Sequence, residues 1–179
     1  MYKFFKIILR ILILSTAVFL ILSYNFGGIW VSMAITSATF LYHFGMRKLV
    51  GDTVNHIMHN HANYNSIWFR QKSWETKIYN LLHVKKWKDK MPTYDPTSFD
   101  SRKHSWDEIA QTMCQSEVVH EINILLSFLP IITSHFLGAL PVFILTSFIA
   151  ATFDLSFVII QRYNRPRIIK IVEKQKSHI

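Results

Sequence analysis

The chain has 179 residues, half of them hydrophobic, with fourteen phenylalanines and a positive mean hydropathy, which fits a small polytopic membrane protein better than a soluble domain. Its single cysteine, Cys114, excludes an internal disulfide and a cysteine-built zinc site. A formal net charge of +9 would suggest nucleic acid in a soluble protein; here the cations flank apolar spans, so anionic lipid and membrane orientation account for them and no nucleic-acid partner is expected.

A bilayer is crossed by roughly 20 apolar helical residues. The first such span is expected over Phe4–Ser23 and the second over Gly27–Phe44, joined at Tyr24-Asn25-Phe26. Lys3 and Lys6 before an apolar run also fit a cleaved signal peptide, but the run is long, Arg10 interrupts it and no small-x-small site follows. His43, at the end of the second span, reads as a boundary residue.

Residues 45–117 are the region able to make a water-facing site. His56, His59 and His61 invite a metal reading, but only the first two share a helical face, no carboxylate sits among them, and the neighbouring asparagines suggest irregular backbone. No metal site is expected. Ile67, Trp74, Ile78, Leu81 and Leu82 recur at helical spacing, with Lys72, Lys77, Lys85, Lys86 and Lys88 mostly elsewhere. That describes a basic, tryptophan-studded helix lying in the headgroup plane, or an ordinary amphipathic helix packed on its neighbours. Met91–Ser101 is rich in proline, serine and aspartate and reads as a loop. Ser105 and Glu108 then stand at capping-box spacing.

With no breaker before Pro130, one helix is expected from Trp106 into a third span, Val118–Leu137. Glu117, His120 and Glu121 share a face of it by three-and-four spacing. Ionisable groups at the hydrocarbon edge are costly unless paired, which makes these three functional candidates. A carboxylate can fix the imidazole tautomer and stabilise its cation, leaving the other nitrogen as a general base. A headgroup-level polar cluster is the plainer reading.

A fourth span, Leu140–Ile160, follows the turn Gly138-Ala139 and carries Asp154, for which Arg10 is the expected ion-pair partner. Gln161-Arg162-Tyr163-Asn164-Arg165-Pro166-Arg167 comes next, an arginine cluster with a proline stop. It reads either as a topology anchor of snorkelling arginines or as a clamp for phosphate or carboxylate.

Three lysines and arginines lie in residues 1–10, eleven in 47–103 and six after Ile160, and none lies in the turns at 24–26 and 138–139. The positive-inside rule then puts both termini and the central segment in the cytoplasm of a multi-pass cell-membrane protein. The expected fold is all-α: four transmembrane helices as two hairpins with a helical cytoplasmic insert. Its parts are an N-terminal hairpin over 1–44, the insert over 45–117, a second hairpin over 118–161 and a basic tail over 162–179.

With Glu117-Val-Val-His120, Val84-Lys-Lys-Trp-Lys-Asp-Lys90 and Ile160-Gln-Arg-Tyr-Asn-Arg-Pro-Arg167 in view, the chain resembles the glycosyl-4,4'-diaponeurosporenoate acyltransferases, membrane enzymes that finish staphyloxanthin-type carotenoids. The order and spacing of these motifs correspond from about Ile67 to Ile168. The resemblance implies transfer of a fatty acyl group to the C6 hydroxyl of a sugar on a glycosylated, membrane-bound carotenoid or related glycolipid. Acyl-CoA is the implied co-substrate, with no bound cofactor. It implies Glu117 and His120 as the catalytic pair and Arg162, Asn164, Arg165 and Arg167 as an anion-binding set; the residues themselves add Glu121, placed to assist catalysis or bind the sugar, and Lys85, Lys86 and Trp87 for the anionic substrate. Two other classes fit the residues alone: a small membrane methyltransferase or reductase, and a non-catalytic protein that binds anionic lipid or a partner.

Overall fold

A computed structural model describes residues 2–92 and 95–177. Thr93 and Tyr94 of the expected loop, Met1, and His178 and Ile179 of the tail lie outside the described residues. Every described element is helical: α1 (Tyr2–Phe26), α2 (Ile29–Met58), α3 (Ser73–Leu81), α4 (Val84–Trp87), 3-10 turns at Lys88–Lys90 and Pro96–Phe99, α5 (Trp106–Leu126), α6 (Leu129–Leu137) and α7 (Leu140–Lys176). The chain divides into two compact units, Met1–Asp52 with Ile122–Asp154, and Thr53–Glu121 with Leu155–Ile179.

Three stretches, Phe4–Phe26, Trp106–Leu137 and Leu140–Lys176, are long and apolar enough to cross a bilayer, which marks a helical membrane protein. Of the four expected spans, the first, third and fourth fall within these stretches. α2 has the length, at 30 residues, but Ser32, Thr36, Ser37, Thr39 and His43 dilute its apolar character.

In the first unit α1 and α2 form an antiparallel hairpin. Phe5 meets Phe44, Thr16 and Ser15 share hydrogen bonds of 2.8 and 2.9 Å with Ser37, and Phe19 meets Trp30. The reversal falls at Gly27 and Gly28, just after the expected turn, because both need a left-handed backbone (φ 59° and 57°) that a side chain would strain. Ile7, Ile11, Leu14, Leu20 and Ile21 of α1 point outward, as suits a helix surrounded by lipid tails.

Asp154 is fully buried, and its ion-pair partner is Arg47 of α2 at 2.5 Å, which corrects the expected pairing with the exposed Arg10. The same guanidinium also donates to the carbonyls of His43 and Ala150, at 2.6 and 3.1 Å. Asn123 lies beside the other Asp154 oxygen. Arginine's fork satisfies several acceptors at once, which a buried carboxylate requires.

The third span is not one continuous helix. α5 ends at Leu126 and α6 starts at Leu129, so that Pro130 sits in a first turn, where its missing N–H would be unpaired in any case. A proline inside a helix also excludes the carbonyl four residues back. That carbonyl, Leu126, accepts the Tyr42 hydroxyl at 2.8 Å, while Ser127 bonds to the carbonyl of Asn123.

Pro166, expected as a stop, lies inside α7, which runs on to Lys176. Contacts on both sides hold the helix through it. Arg165 pairs with Glu117, and Lys176 reaches Asp107 at 3.1 Å.

In the second unit the capping box forms as expected. The Ser105 N–H donates to Glu108 at 2.8 Å, and the Glu108 N–H donates to the Ser105 hydroxyl at 3.2 Å. Asp107 accepts from Tyr64, Gln111 and Lys176, tying the loop before α3 and the end of α7 to the start of α5. Helix α3 turns Trp74, Ile78 and Leu81 outward and buries Glu75 and Tyr79. Its apolar side is therefore the free one, the arrangement of a helix that meets lipid headgroups.

Candidate active site

α3, α5 and the later part of α7 meet at a lattice of two carboxylates and two guanidiniums. Glu117 on α5 is completely buried, with Oε1 accepting from Arg162 at 2.5 Å and Oε2 accepting from Arg165. Glu75 on α3, 3 % exposed, accepts from Arg162 Nη2 at 2.6 Å and from the Tyr79 hydroxyl at 2.7 Å. Arg162 also donates to the carbonyls of Trp68 at 3.0 Å and Arg70 at 3.3 Å. Arg165, 1 % exposed, donates to the carbonyl of Phe69 at 2.5 Å and lies over the Phe69 ring.

Two positive and two negative groups thus neutralise one another away from water, the condition under which buried charge is tolerated. Burial alone would raise the Glu75 carboxyl; Arg162 and the Tyr79 hydroxyl outweigh it and hold the group below its ordinary value. The Tyr79 hydroxyl moves the other way, raised by burial and by its bond to Glu75.

The lattice fixes its surroundings. One turn beyond Glu117, the half-buried His120 stacks flat on Phe157 of α7, with ring centroids 4.6 Å apart and planes 12° from parallel. Glu121 accepts from the Trp68 indole at 3.0 Å. Gln161 donates to the Ser116 hydroxyl at 3.2 Å. Of the expected anion-binding set, Arg162 and Arg165 are occupied by carboxylates, Asn164 is half-buried, and Arg167 is exposed, stacked over Tyr163 and donating to its hydroxyl at 3.0 Å. Lys85 and Lys86 on α4 are exposed, and the Trp87 indole donates to the carbonyl of Leu82 at 2.9 Å.

His59 and Asn60, which follow α2, both adopt left-handed backbone, with φ 47° and 58°, where the Asn60 N–H donates to Gln115 at 2.7 Å. Among the described residues no three His, Cys, Asp or Glu side chains are placed to hold a metal ion.

Sequence reasoning missed Glu75, the acid that completes the lattice. One signal was available: it is the only acidic residue between Asp52 and Asp89, set in a strongly basic stretch.

Apolar helices long enough to span a bilayer, with a neutralised ionic lattice at one buried junction and a fixed imidazole beside it, define a helical membrane protein with an ordered polar site. The family model for glycosyl-4,4'-diaponeurosporenoate acyltransferases matches residues 65–174, a stretch that contains the whole lattice and His120. The chain belongs to that family and is an acyltransferase with a glycosyl-carotenoid acyltransferase-like function. Comparison with curated proteins and with solved structures returns no match.

Proposed function

We propose that this protein transfers a fatty acyl group from a coenzyme A thioester to the C6 hydroxyl of the sugar on a glycosylated carotenoid or closely related glycolipid, with His120 as general base. The observation that carries the reading is the family match over residues 65–174, within which the imidazole is held flat against Phe157 beside the ionic lattice. The sugar oxygen attacks the thioester carbonyl as His120 takes its proton. The tetrahedral intermediate then collapses, the C–S bond breaks, and the imidazolium returns the proton to the departing thiolate. No acyl-enzyme is formed.

Glu117 is a positioning residue in this reading, since both its oxygens hold guanidiniums. Glu121, beside Trp68, is the carboxylate available to a sugar hydroxyl. With α2 as a fourth membrane helix completing two hairpins, the lysine and arginine distribution supports both termini in the cytoplasm of a cell-membrane protein. That orientation gives the site access to a cytoplasmic acyl donor and to a membrane-bound acceptor.

Membranes carrying the protein, supplied with radiolabelled acyl-CoA and a glucosylated carotenoid, are expected to form the acyl ester. His120→Ala should remove transfer without altering membrane insertion or helical content. Wild-type turnover in that variant would refute the base assignment, and no ester from the unmodified protein would refute the activity.

A further inference from the structure

Because Arg162 and Arg165 are neutralised by Glu75 and Glu117, the cations that remain available to a ligand lie elsewhere in the same unit. A recess of about 210 Å³ opens where α4 passes the outer part of α7, lined by Tyr79, Asn80, His83, Lys85, Lys86 and Tyr163. Among the described residues no carboxylate lines it, Lys85 and Lys86 stand exposed, and Arg167 stacks on the Tyr163 ring one turn further along α7. We propose that this recess is a phosphate subsite that receives the phosphate-bearing end of the acyl donor while its thioester reaches His120. The donor half of this inference rests on the activity proposed above.

Three observations support it. The first is charge: Lys85 and Lys86 line a small concavity that has no carboxylate in its described lining, and the Arg167 guanidinium stands over the Tyr163 ring at its edge, a pattern that recognises phosphate. The second is backbone geometry. His83 is forced into the left-handed region at φ 50°, its ring is anchored to the carbonyl of Leu81 at 2.9 Å, and its own carbonyl accepts from the Lys86 N–H at 2.8 Å. Such a conformation is unfavourable for a side-chain-bearing residue and persists where surrounding contacts impose it. Here it folds α4 back so that both lysines border Tyr79.

The third observation is reach. Phe157, which carries the His120 ring, precedes Tyr163 by six residues and Arg167 by ten. At 1.5 Å per helical residue the axial offsets are about 9 and 15 Å. The pantetheine arm that separates a thioester from its phosphates can span that interval. A free phosphate, or a thioester lacking the arm, could not fill both places.

Purified full-length protein in detergent tests this with the double variant Lys85→Gln/Lys86→Gln and with Arg167→Gln, using acyl-CoA and the acyl thioester of pantetheine, which lacks phosphates. The expected result is a rise of roughly tenfold in the KM for acyl-CoA in each variant, with kcat and the acceptor KM held. The unmodified protein should lose the same factor on acyl-pantetheine, on which the variants lose nothing further. Equal KM values for acyl-CoA in variant and unmodified protein overturn the donor assignment. Sedimentation with phosphatidylglycerol vesicles, against phosphatidylcholine, separates the other source of phosphate: vesicle binding lost with donor KM unchanged keeps the phosphate subsite and gives it to lipid. No change in either readout overturns the subsite. If the unmodified protein turns over no donor at all, the activity fails by itself, and equilibrium dialysis with CoA still decides whether the lysines hold phosphate.

Discussion

Glu117→Gln is the most informative single change. It keeps the shape of the side chain, removes its charge, and so separates the ionic lattice from simple packing. Arg162 would retain Glu75 and the carbonyls of Trp68 and Arg70, so most of the cost falls on Arg165. That guanidinium is 1 % exposed, its Nε has no hydrogen-bond partner, and the variant would leave it only neutral acceptors, chief among them the Phe69 carbonyl. Removing one partner of a buried ion pair costs about 3–5 kcal/mol. For a chain of this size each kcal/mol lowers Tm by about 2–4 °C, so the expected shift is roughly 6–20 °C downward. Thermal unfolding in detergent, followed by far-ultraviolet circular dichroism, measures it. Glu117→Leu combined with Arg165→Leu removes both charges together and should recover much of the loss. A single variant within about 1 kcal/mol of the unmodified protein, or a double variant no more stable than the worse single one, refutes the lattice as the organising feature of the site.

Three further outcomes are expected. Arg47→Met leaves Asp154 buried without its cation and should cost about 3–5 kcal/mol in chemical unfolding, whereas Arg10→Ala should stay within about 0.5 kcal/mol; the opposite order would restore the Arg10 pairing. Tyr42→Phe deprives the Leu126 carbonyl of its donor at the α5–α6 break, at a cost of about 1–3 kcal/mol, and an unchanged Tm would mean that another group satisfies that carbonyl. The folded protein holds the Glu75 carboxyl below its ordinary value, so its contribution is complete above the ordinary pKa of about 4.3 and is lost as pH falls through the lower folded value. Glu75→Gln should accordingly flatten the acid side of the Tm–pH profile, and an acid slope equal to that of the unmodified protein would remove Glu75 from the account.

The helical class, most of the membrane-crossing segments, the capping box at Ser105 and the importance of the segment after Ile160 could be read from the sequence, because each depends on local composition or short spacing. What could not be read depended on distant partners. Arg10 and Arg47 were both available to Asp154, and the antiparallel α1–α2 register, with α2 running on to Met58, decided for Arg47. Two prolines of the same chemistry behave differently. Pro130 begins a new helix because Tyr42 can take up the displaced carbonyl, and Pro166 stays inside one because Arg165 and Lys176 are anchored on either side. The arginine cluster was recognisable as a place for anions. That two of those anions are Glu75 and Glu117, from 87 and 45 positions earlier in the chain, is a property of the fold.

That interval has a consequence for biogenesis. During synthesis Glu75 and Glu117 leave the ribosome well before Arg162 and Arg165, the two side chains that will neutralise them. The junction around α3 therefore cannot close before Arg165 has been made, and both acids lack their guanidiniums until then. A nascent chain arrested before Arg162 would hold its early helices in the bilayer with this region open, and so offer quality-control proteases a target that the finished molecule conceals.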